Sequence, residues 1–242
     1  MREIVLDTET TGFDAEGEDR IVEIGCVELW NHMPTGETYH VYINPERSMP
    51  EEAFGVHGIG PDLLEPPCQP EPGQIVLRDK PVFAKVGQSF VDFVGDAKMV
   101  IHNAAFDMKF LNAELKRMGL ATLPMEQAVD TLAMARKKFP GARATLDALC
   151  SRFGIDNSNR TLHGALLDSE ILAEVYLELI GGRQPDFALA SSAGASGGAA
   201  QDDWRPTARP NPLSSRLTED EKAAHAEFVD GMGEEALWTK LG

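Results

Sequence analysis

The segment VLDTETTG near the N-terminus places two carboxylates directly after an apolar run. Residues 4–6 have the pattern of a short buried strand. Side chains alternate along a strand, so Asp7 and Glu9 point to the same face. Like charges that converge at the end of a core strand repel one another, and a bound cation is the usual physical reason for such an arrangement. A solvated acidic turn is the alternative, because Asp, Thr and Gly are common in turns.

Patterns of apolar residues over the first 180 positions predict a series of strands and helices. The predicted strands cover 3–7, 20–29, 37–45, 98–103 and a short stretch near 127–130, and the predicted helices cover 80–95, 104–119, 131–138, 145–153 and 165–180. The order βββαβαβααα predicts an α/β fold in which a mixed sheet is flanked by helices.

Two local features refine this prediction. Asn103 is placed as the N-cap of the helix at 104–119, and Gly119 as its stop. The segment 60–79 contains five prolines before Gln74, so it cannot form one regular element. We expect an irregular surface loop there.

The composition changes after residue 180. Residues 188–201 consist mainly of Ala, Ser and Gly, which is typical of a flexible linker. A capping-box spacing and a small apolar stripe follow, formed by Thr218, Glu221, Ala224, Phe228 and Val229. We expect a domain at 1–181, a flexible linker at 182–212 and a C-terminal helical docking segment at 213–242 that includes Trp238. A disordered tail is the alternative, because the helix is polar.

Composition restricts the classes of protein. No run of about 18 apolar residues is present, so we expect no membrane span. The three cysteines are widely spaced and form no CxxC, which predicts neither a disulfide nor a zinc site and favours the cytoplasm. The net charge of −17 argues against a free-standing nucleic-acid binder. It does not exclude an enzyme that holds nucleic acid through metal ions or receives it from a partner.

Three further residues extend the acidic pair. Asp107 lies about one turn into a predicted helix and leans toward the strand ends, although a charge that offsets the helix dipole is the commoner role for such an Asp. Asp168 adjoins an apolar helix face and needs a partner there. His163 stands on the loop that enters this helix, where a lone histidine is more often structural. Together, four carboxylates and one histidine predict two Mg²⁺ ions and a base that takes a proton from water.

Three of these segments, DTETTG, HNAAFD and H-x4-D, resemble the exonuclease motifs of the DEDD superfamily in its histidine-bearing branch. The likeness is closer to one family within it, the epsilon subunits of bacterial DNA polymerase III, and is carried by VLDTETTG, IVEIGCVE, FGVHGI, VIHNAAFD, ARKKFPG, LDALC and RTLHGALLDSEILAEVYL. It covers residues 1–181, with a longer proline-rich loop at 60–79, and extends more weakly to the C-terminal segment. The resemblance implies an RNase H-like fold and a proofreading 3′→5′ exonuclease.

The resemblance also implies roles for individual residues. Asp7, Glu9 and Asp168 ligate two divalent metal ions, Mg²⁺ or Mn²⁺, and also face the substrate. Asp107 holds the second ion, partly through water, and His163 is the general base. Further substrate contacts are implied at the 3′-terminal nucleotide, from Thr8, Glu52 and His57.

The implied partners are a DNA 3′ end, the alpha (catalytic) subunit of the polymerase through 213–242, and the beta sliding clamp through 184–189. In the stretch GGRQPDFALA, Gln184, Phe187 and Leu189 are similar to short clamp-binding peptides, and a plain linker is the alternative. Whether a small accessory subunit binds is left open. Two other functions compete with this interpretation: a non-catalytic scaffold between polymerase and clamp, and a stand-alone nuclease that acts on RNA ends or short oligonucleotides.

Overall fold

The computed structural model describes residues 1–160, 162–182 and 217–232. The chain divides into two compact units, Met1–Leu189 and Ala190–Gly242. The predicted linker after residue 182, the clamp-binding residues Gln184, Phe187 and Leu189, and Trp238 lie outside the described residues. The predicted domain boundaries therefore remain predictions.

The first unit is built on one mixed sheet of five strands. These are β1 (Arg2–Thr10), β2 (Ile21–Trp30), β3 (Met33–Tyr42), β4 (Lys98–Ile101) and β5 (Ala128–Asp130). Their order in the sheet is β3-β2-β1-β4-β5. The first three strands form an antiparallel meander, whereas β4 pairs parallel with β1 and β5 parallel with β4. The predicted mixed sheet is confirmed.

Seven α-helices are present in the described residues. They are α1 (Glu51–His57), α2 (Phe83–Val94), α3 (Ala104–Arg117), α4 (Thr131–Lys138), α5 (Leu146–Phe153), α6 (Ala165–Leu179) and α7 (Glu219–Gly231). Helix α1 was not predicted, because a helix of 7 residues with one buried side chain has no visible apolar period. Its ends nevertheless follow known rules: acidic residues occupy the first turn, and Gly58 ends it in the left-handed conformation.

Both faces of the sheet are covered by helices. On β1, Ile4 and Leu6 pack in one apolar cluster with residues of α2 and α3, such as Phe90. Val5 belongs to a second cluster that contains residues of α5 and α6. Alternate side chains of one strand thus anchor both helical layers, which explains why residues 4–6 of β1 are all apolar.

The ends of α3 differ in part from the prediction. Asn103 does occupy the N-cap position, but its side chain makes no capping hydrogen bond and its backbone is left-handed, with φ of 71°. The Asn103 N–H instead donates to Asp130 Oδ1 at 3.3 Å, so the β4–α3 turn is tied to the end of β5. Gly119, with φ of 72°, follows the last helical turn as expected.

The proline-rich segment is irregular as predicted, apart from a one-turn 3-10 helix at Pro61–Leu63. It is not purely a surface loop, however. The buried carboxylate of Asp62 accepts hydrogen bonds from the N–H groups of Leu77 and Arg78, both at 3.2 Å. Leu77 is itself fully buried, in a small cluster that includes Met49 and Ile59. These contacts fix the two ends of the loop to each other and to the sheet.

Helix α7 begins with the predicted capping box between Thr218 and Glu221. Phe228 on this helix is 66% exposed. Among the residues that the structure describes, no helix is both long enough and apolar enough to cross a membrane.

Candidate active site

Four carboxylates meet where β1, α3 and α6 come together. Asp7 and Glu9 lie on β1, while Asp107 and Asp168 lie in the first turns of α3 and α6. Strand β4 runs parallel to β1, with Val100 opposite Val5, so the turn from β4 delivers the start of α3 beside Asp7. Glu9, Asp107 and Asp168 are buried, and Asp7 is half-buried. The structure therefore brings together the carboxylates that the sequence singled out.

Thr8 fixes the orientation of Asp107. The Thr8 hydroxyl donates to Asp107 Oδ1 at 2.7 Å, in a buried position. Burial raises the pKa of Asp107 to about 7, against the lowering effect of this hydrogen bond. The predicted contact of Thr8 with a nucleotide is untested, but its contact with Asp107 was not foreseen.

Burial and, after it, charge repulsion act on the remaining pair, Asp7 and Glu9. Burial, together with the charges of Asp107, Glu9 and Asp168, raises the pKa of Asp7 well above its ordinary value. Burial and the neighbouring carboxylates, Glu23 first, raise the pKa of Glu9 to about 8. Without a cation, Glu9 therefore holds its proton near neutral pH.

The donor set fits a divalent metal ion. Glu9, His163 and Asp168 each offer a ligand atom, and these atoms lie within 4.8 Å of one another. Carboxylate oxygens are the ligands that hard divalent cations prefer, and a cation would relieve the repulsion that raises the pKa of Glu9. The residues present thus suit divalent metal.

Asp168 differs from the other three carboxylates because a guanidinium binds it. Arg160 donates to Asp168 Oδ1 from Nε at 2.5 Å and to Oδ2 from Nη2 at 2.7 Å. Burial alone raises the pKa of Asp168, but the hydrogen bonds from Arg160 and His163 outweigh it and lower the pKa. Arg160 also binds Asp147 Oδ1 at 3.0 Å. Sequence reasoning missed Arg160, although it stands three residues before His163 in the motif RTLH.

His163 lies at the mouth of the site, with its side chain 48% exposed. Its Nδ1 is 2.8 Å from Arg160 Nη2 and 3.4 Å from Asp168 Oδ2. Its backbone N–H donates to the carbonyl of Val56 at 3.1 Å, which ties the histidine loop to α1. The histidine is therefore close to the carboxylates and accessible to solvent, as a general base requires.

Glu23 is a second residue that the sequence did not reveal. Its buried carboxylate accepts the N–H of Ala165 at 3.0 Å and contacts His40 Nε2 at 2.7 Å. Ala165 begins α6, so Glu23 satisfies one of the free N–H groups at the start of that helix. The effect is to fix the helix that carries Asp168.

A cavity of about 500 Å³ lies on one side of His163. His57 also lines it, and Gln74 and Ile75 from the proline-rich loop form part of its wall. Burial lowers the pKa of His57 to about 4, so its imidazole is neutral. His57 Nδ1 accepts the N–H of Ile59 at 3.0 Å, and its buried Nε2 makes no hydrogen bond with the described residues. Glu52 is exposed on α1 and does not line this cavity.

The geometry agrees with comparisons to known proteins. A family model described as "Exonuclease" matches residues 4–71 and 73–176. DNA polymerase III subunit epsilon from Rickettsia conorii is 44% identical over 232 residues, which cover 95% of this chain and 95% of that protein. The same subunit from Escherichia coli K12 is 50% identical over 189 residues, or 75% of this chain and 72% of that protein.

Solved structures show the same fold. The nuclease domain of 3'hExo, described as a DEDDh family member bound to rAMP, gives a TM-score of 0.59 at 19% identity, covering 74% of this chain and 91% of that chain. Exonuclease X in complex with 5′ overhanging duplex DNA gives 0.51 at 24% identity, covering 73% and 90%. The fold and site thus define an RNase H-like exonuclease. The chain belongs to the exonuclease family and, within it, to the epsilon subunits of DNA polymerase III.

Proposed function

We propose that this chain is the proofreading 3′→5′ exonuclease of a replicative DNA polymerase III, removing mispaired nucleotides from the 3′ end of a growing strand. The observation that supports this most directly is the meeting of Asp7, Glu9, Asp107 and Asp168 beside the accessible His163. Three of the carboxylates have raised pKa values, the fourth is paired with Arg160, and a histidine lies beside them. This combination suits metal-assisted hydrolysis of a phosphodiester.

The proposed cofactors are two divalent ions, Mg²⁺ or Mn²⁺. Asp7, Glu9 and Asp168 would ligate them directly, and Asp107 would hold the second ion, partly through water. When bound, the ions stabilise negative charge on the phosphodiester and lower the pKa of water.

The protein's own residues supply the proton transfer and the positioning. His163 takes a proton from the attacking water, and its half-exposed ring lets water approach. Nδ1 lies 2.8 Å from Arg160 Nη2, so this nitrogen must lose that contact before it can accept a proton. His57 would contact the sugar or base of the 3′-terminal nucleotide through Nε2, from the wall of its cavity. Thr8 and Glu52 do not line that cavity, and we propose that they contact the same nucleotide from outside it.

The proposed partners account for the acidity of the chain. With a net charge of −17, the chain has little general affinity for duplex DNA, and the polymerase would deliver the strand end to it. We propose that 213–242 binds the alpha subunit and that Gln184, Phe187 and Leu189 bind the beta clamp in the cytoplasm. A small accessory subunit is a further candidate partner.

The nuclease proposal is tested by following the 3′-end shortening of a 5′-labelled primer, paired or mispaired, with and without Mg²⁺. Wild type is expected to release mononucleotides faster from the mispair, only with metal. Asp168→Ala is expected to lose at least a thousandfold in rate, since it removes a metal ligand.

Asp92→Asn is the matched control, because Asp92 is an acidic residue on helix α2, outside the site, where it accepts a hydrogen bond from Gln88 at 2.8 Å. It should cut as fast as wild type. If wild type cuts with neither Mg²⁺ nor Mn²⁺, the nuclease function is refuted, and a non-catalytic scaffold between polymerase and clamp is favoured.

The clamp contact has a separate test in a pull-down with purified beta clamp. Gln184→Ala combined with Phe187→Ala should abolish capture, whereas Arg183→Ala combined with Asp186→Ala should not. Unchanged capture by the first variant would leave these residues as plain linker.

A further inference from the structure

A second and larger cleft also borders the catalytic residues. Its volume is about 730 Å³, and Asp7, His163 and Asp168 form its inner end. From there it extends along α4 and the connection between α4 and α5, where its wall includes Arg136 and Arg143. His163 also lines the cavity that contains His57, so the two spaces meet at the site of hydrolysis.

Two arginines give the outer part of this cleft a free positive charge. Arg136 and Arg143 are both exposed, and neither guanidinium has a hydrogen bond or ion pair with the described residues. Neighbouring cations are engaged elsewhere: Lys138 donates to the carbonyls of Glu178 and Leu179, and Arg152 lies over the ring of Phe139.

Two arginines without an ion pair in one cleft are unusual for so acidic a chain. The chain has a net charge of −17, yet its cleft is lined by two guanidinium groups without an ion pair to the described residues, while the exposed carboxylate of Asp147 in the same cleft is paired with Arg160. Guanidinium groups match phosphate oxygens in geometry and charge, and exposed arginines beside a nuclease site suit a nucleic-acid backbone. The apolar residues Leu132, Ala144 and Leu146 lie on the same walls and can contact sugars and base faces.

We propose that this cleft binds the single strand on the 5′ side of the scissile phosphate, with Arg136 and Arg143 on its backbone phosphates. The proposal rests on the exonuclease function proposed above. The terminal nucleotide would occupy the cavity of His57, and the rest of the strand would lie in the larger cleft that adjoins it at His163. Nucleotides upstream of the cut then contribute to affinity, whereas chemistry at the terminal phosphodiester needs only the carboxylates and His163.

Substrate length separates these two contributions. A dinucleotide carries only the scissile phosphate, whereas a ten-nucleotide single strand also carries the upstream phosphates. The full chain and its variants are assayed with Mg²⁺ on both substrates. The test variant is Arg136→Ala with Arg143→Ala. The control is Lys85→Ala with Lys137→Ala, which removes the same charge from exposed positions outside the cleft, one of them on the same helix α4.

The test variant is expected to raise KM for the ten-nucleotide strand about tenfold, because each phosphate contact contributes several-fold to affinity at moderate salt. Its kcat on that strand, and both constants on the dinucleotide, should stay within twofold of wild type. The slope of log KM against log salt should fall by about 1.4, the value for two lost contacts to a single strand. The control should match wild type in every respect.

Three outcomes would overturn the proposal. If the test variant and the control behave alike on the long strand, the arginines do not contact it. If both substrates are affected equally, the arginines act on the chemistry or on folding. If wild type cuts neither substrate, the proposed nuclease function fails, and the strand-binding cleft fails with it.

Discussion

At the residue scale, the site collects negative charge that the chain compensates at only one position. Arg160 neutralises Asp168, while burial, and to a lesser extent neighbouring carboxylates, raise the pKa values of Asp7, Glu9 and Asp107. Such an arrangement destabilises the metal-free fold and at the same time creates affinity for cations. Stability and function are opposed in these few side chains.

The pH dependence of stability tests this opposition. The pKa of Glu9 is about 8 in the fold against an ordinary 4.5, so the fold binds more protons than the unfolded chain. Its stabilising contribution is complete below pH 4.5 and is lost as the pH rises through about 8. With a chelator present, wild type should therefore lose several degrees in Tm between pH 5 and 8.5. Glu9→Gln should lose less, by thermal melts followed with circular dichroism.

Added Mn²⁺ should restore the Tm of wild type at pH 8.5, since the cation replaces the protons. It should restore that of Glu9→Gln less, because one ligand has been removed. If the Tm of the two proteins changes with pH in the same way without metal, the raised pKa of Glu9 in the fold is contradicted. Asp92→Asn provides the control for loss of one acidic group elsewhere.

Arg160 gives a second prediction at this scale. Its guanidinium is 8% exposed and binds Asp168 through two nitrogens. Arg160→Ala should lower the free energy of unfolding without metal by about 3 kcal/mol, because a buried carboxylate loses its partner. Saturating Mn²⁺ should then stabilise the variant more than wild type, as measured by urea unfolding.

Arg160→Lys is the informative companion variant, since it keeps the charge but cannot form two parallel bonds. Its metal-free stability should lie between those of wild type and Arg160→Ala. If Arg160→Ala is as stable as wild type without metal, the Arg160–Asp168 ion pair does not contribute to the free energy of unfolding.

The same residues show how far sequence reasoning reaches. Asp7 and Glu9 were predicted together because the strand period places them on one face, and that is a local rule. Glu23 could not be predicted, since its partner Ala165 lies 142 positions further along the chain. The role of Arg160 was not predicted, because the sequence around a loop arginine offers several acidic residues as possible partners. Only the folded loop shows that the partner is Asp168.

At the scale of elements, the close approach of α6 to β2 sets the geometry of the site. Ser169 on α6 donates to the carbonyl of Gly25 at 2.9 Å, and Gly25 has no side chain to keep the helix away. A Cβ at Gly25 would lie 2.2 Å from the backbone of Ala165 and Leu166. The helix that carries Asp168 therefore depends on a glycine in the strand beneath it.

Gly25→Ala should displace the start of α6 and with it Asp168 and His163. We expect a loss of about 2 kcal/mol in unfolding free energy from overpacking, and a loss of nuclease rate larger than the loss of stability explains. Thermal melts and the primer assay at a temperature where the variant is folded measure the two effects.

Gly231→Ala is the control for this substitution, because nothing lies within 4 Å of its added Cβ and it is the last residue of helix α7, outside the lining of the His57 cavity. It should be neutral or slightly stabilising. A Gly25→Ala variant with the melting temperature and rate of wild type would show that α6 can shift without consequence.

Element prediction succeeded where a pattern was long and failed where it was short. The strands and helices α2 to α6 follow apolar periods and lie within a few residues of the predicted bounds. Helix α1 has 7 residues and is specified by Glu51, Glu52 and Gly58 at its ends, which are capping features rather than a period. The fixed ends of the proline-rich loop depend on Asp62, whose partners are 15 and 16 residues away.

At the scale of the whole molecule, an acidic nuclease must be brought to its substrate. The C-terminal segment proposed for this task contains α7, on which Phe228 is 66% exposed. Phe228 follows Ala224 by four positions, so both lie on one face of the helix, whereas Ala226 lies on roughly the opposite face. An exposed aromatic on a short capped helix suits burial against a partner subunit.

Phe228→Asp in the full chain should therefore weaken binding to the purified alpha subunit at least a hundredfold. The substitution places a charge where the partner would bury an aromatic side chain. Ala226→Asp introduces the same charge on the same helix and should bind like wild type. Calorimetry or surface plasmon resonance measures both affinities. Neither variant should change the rate on a free ten-nucleotide strand, since Met1–Leu189 forms a compact unit that contains the whole catalytic site. Equal affinities of the two variants would show that α7 docks through another face, or that the contact lies elsewhere in 213–242.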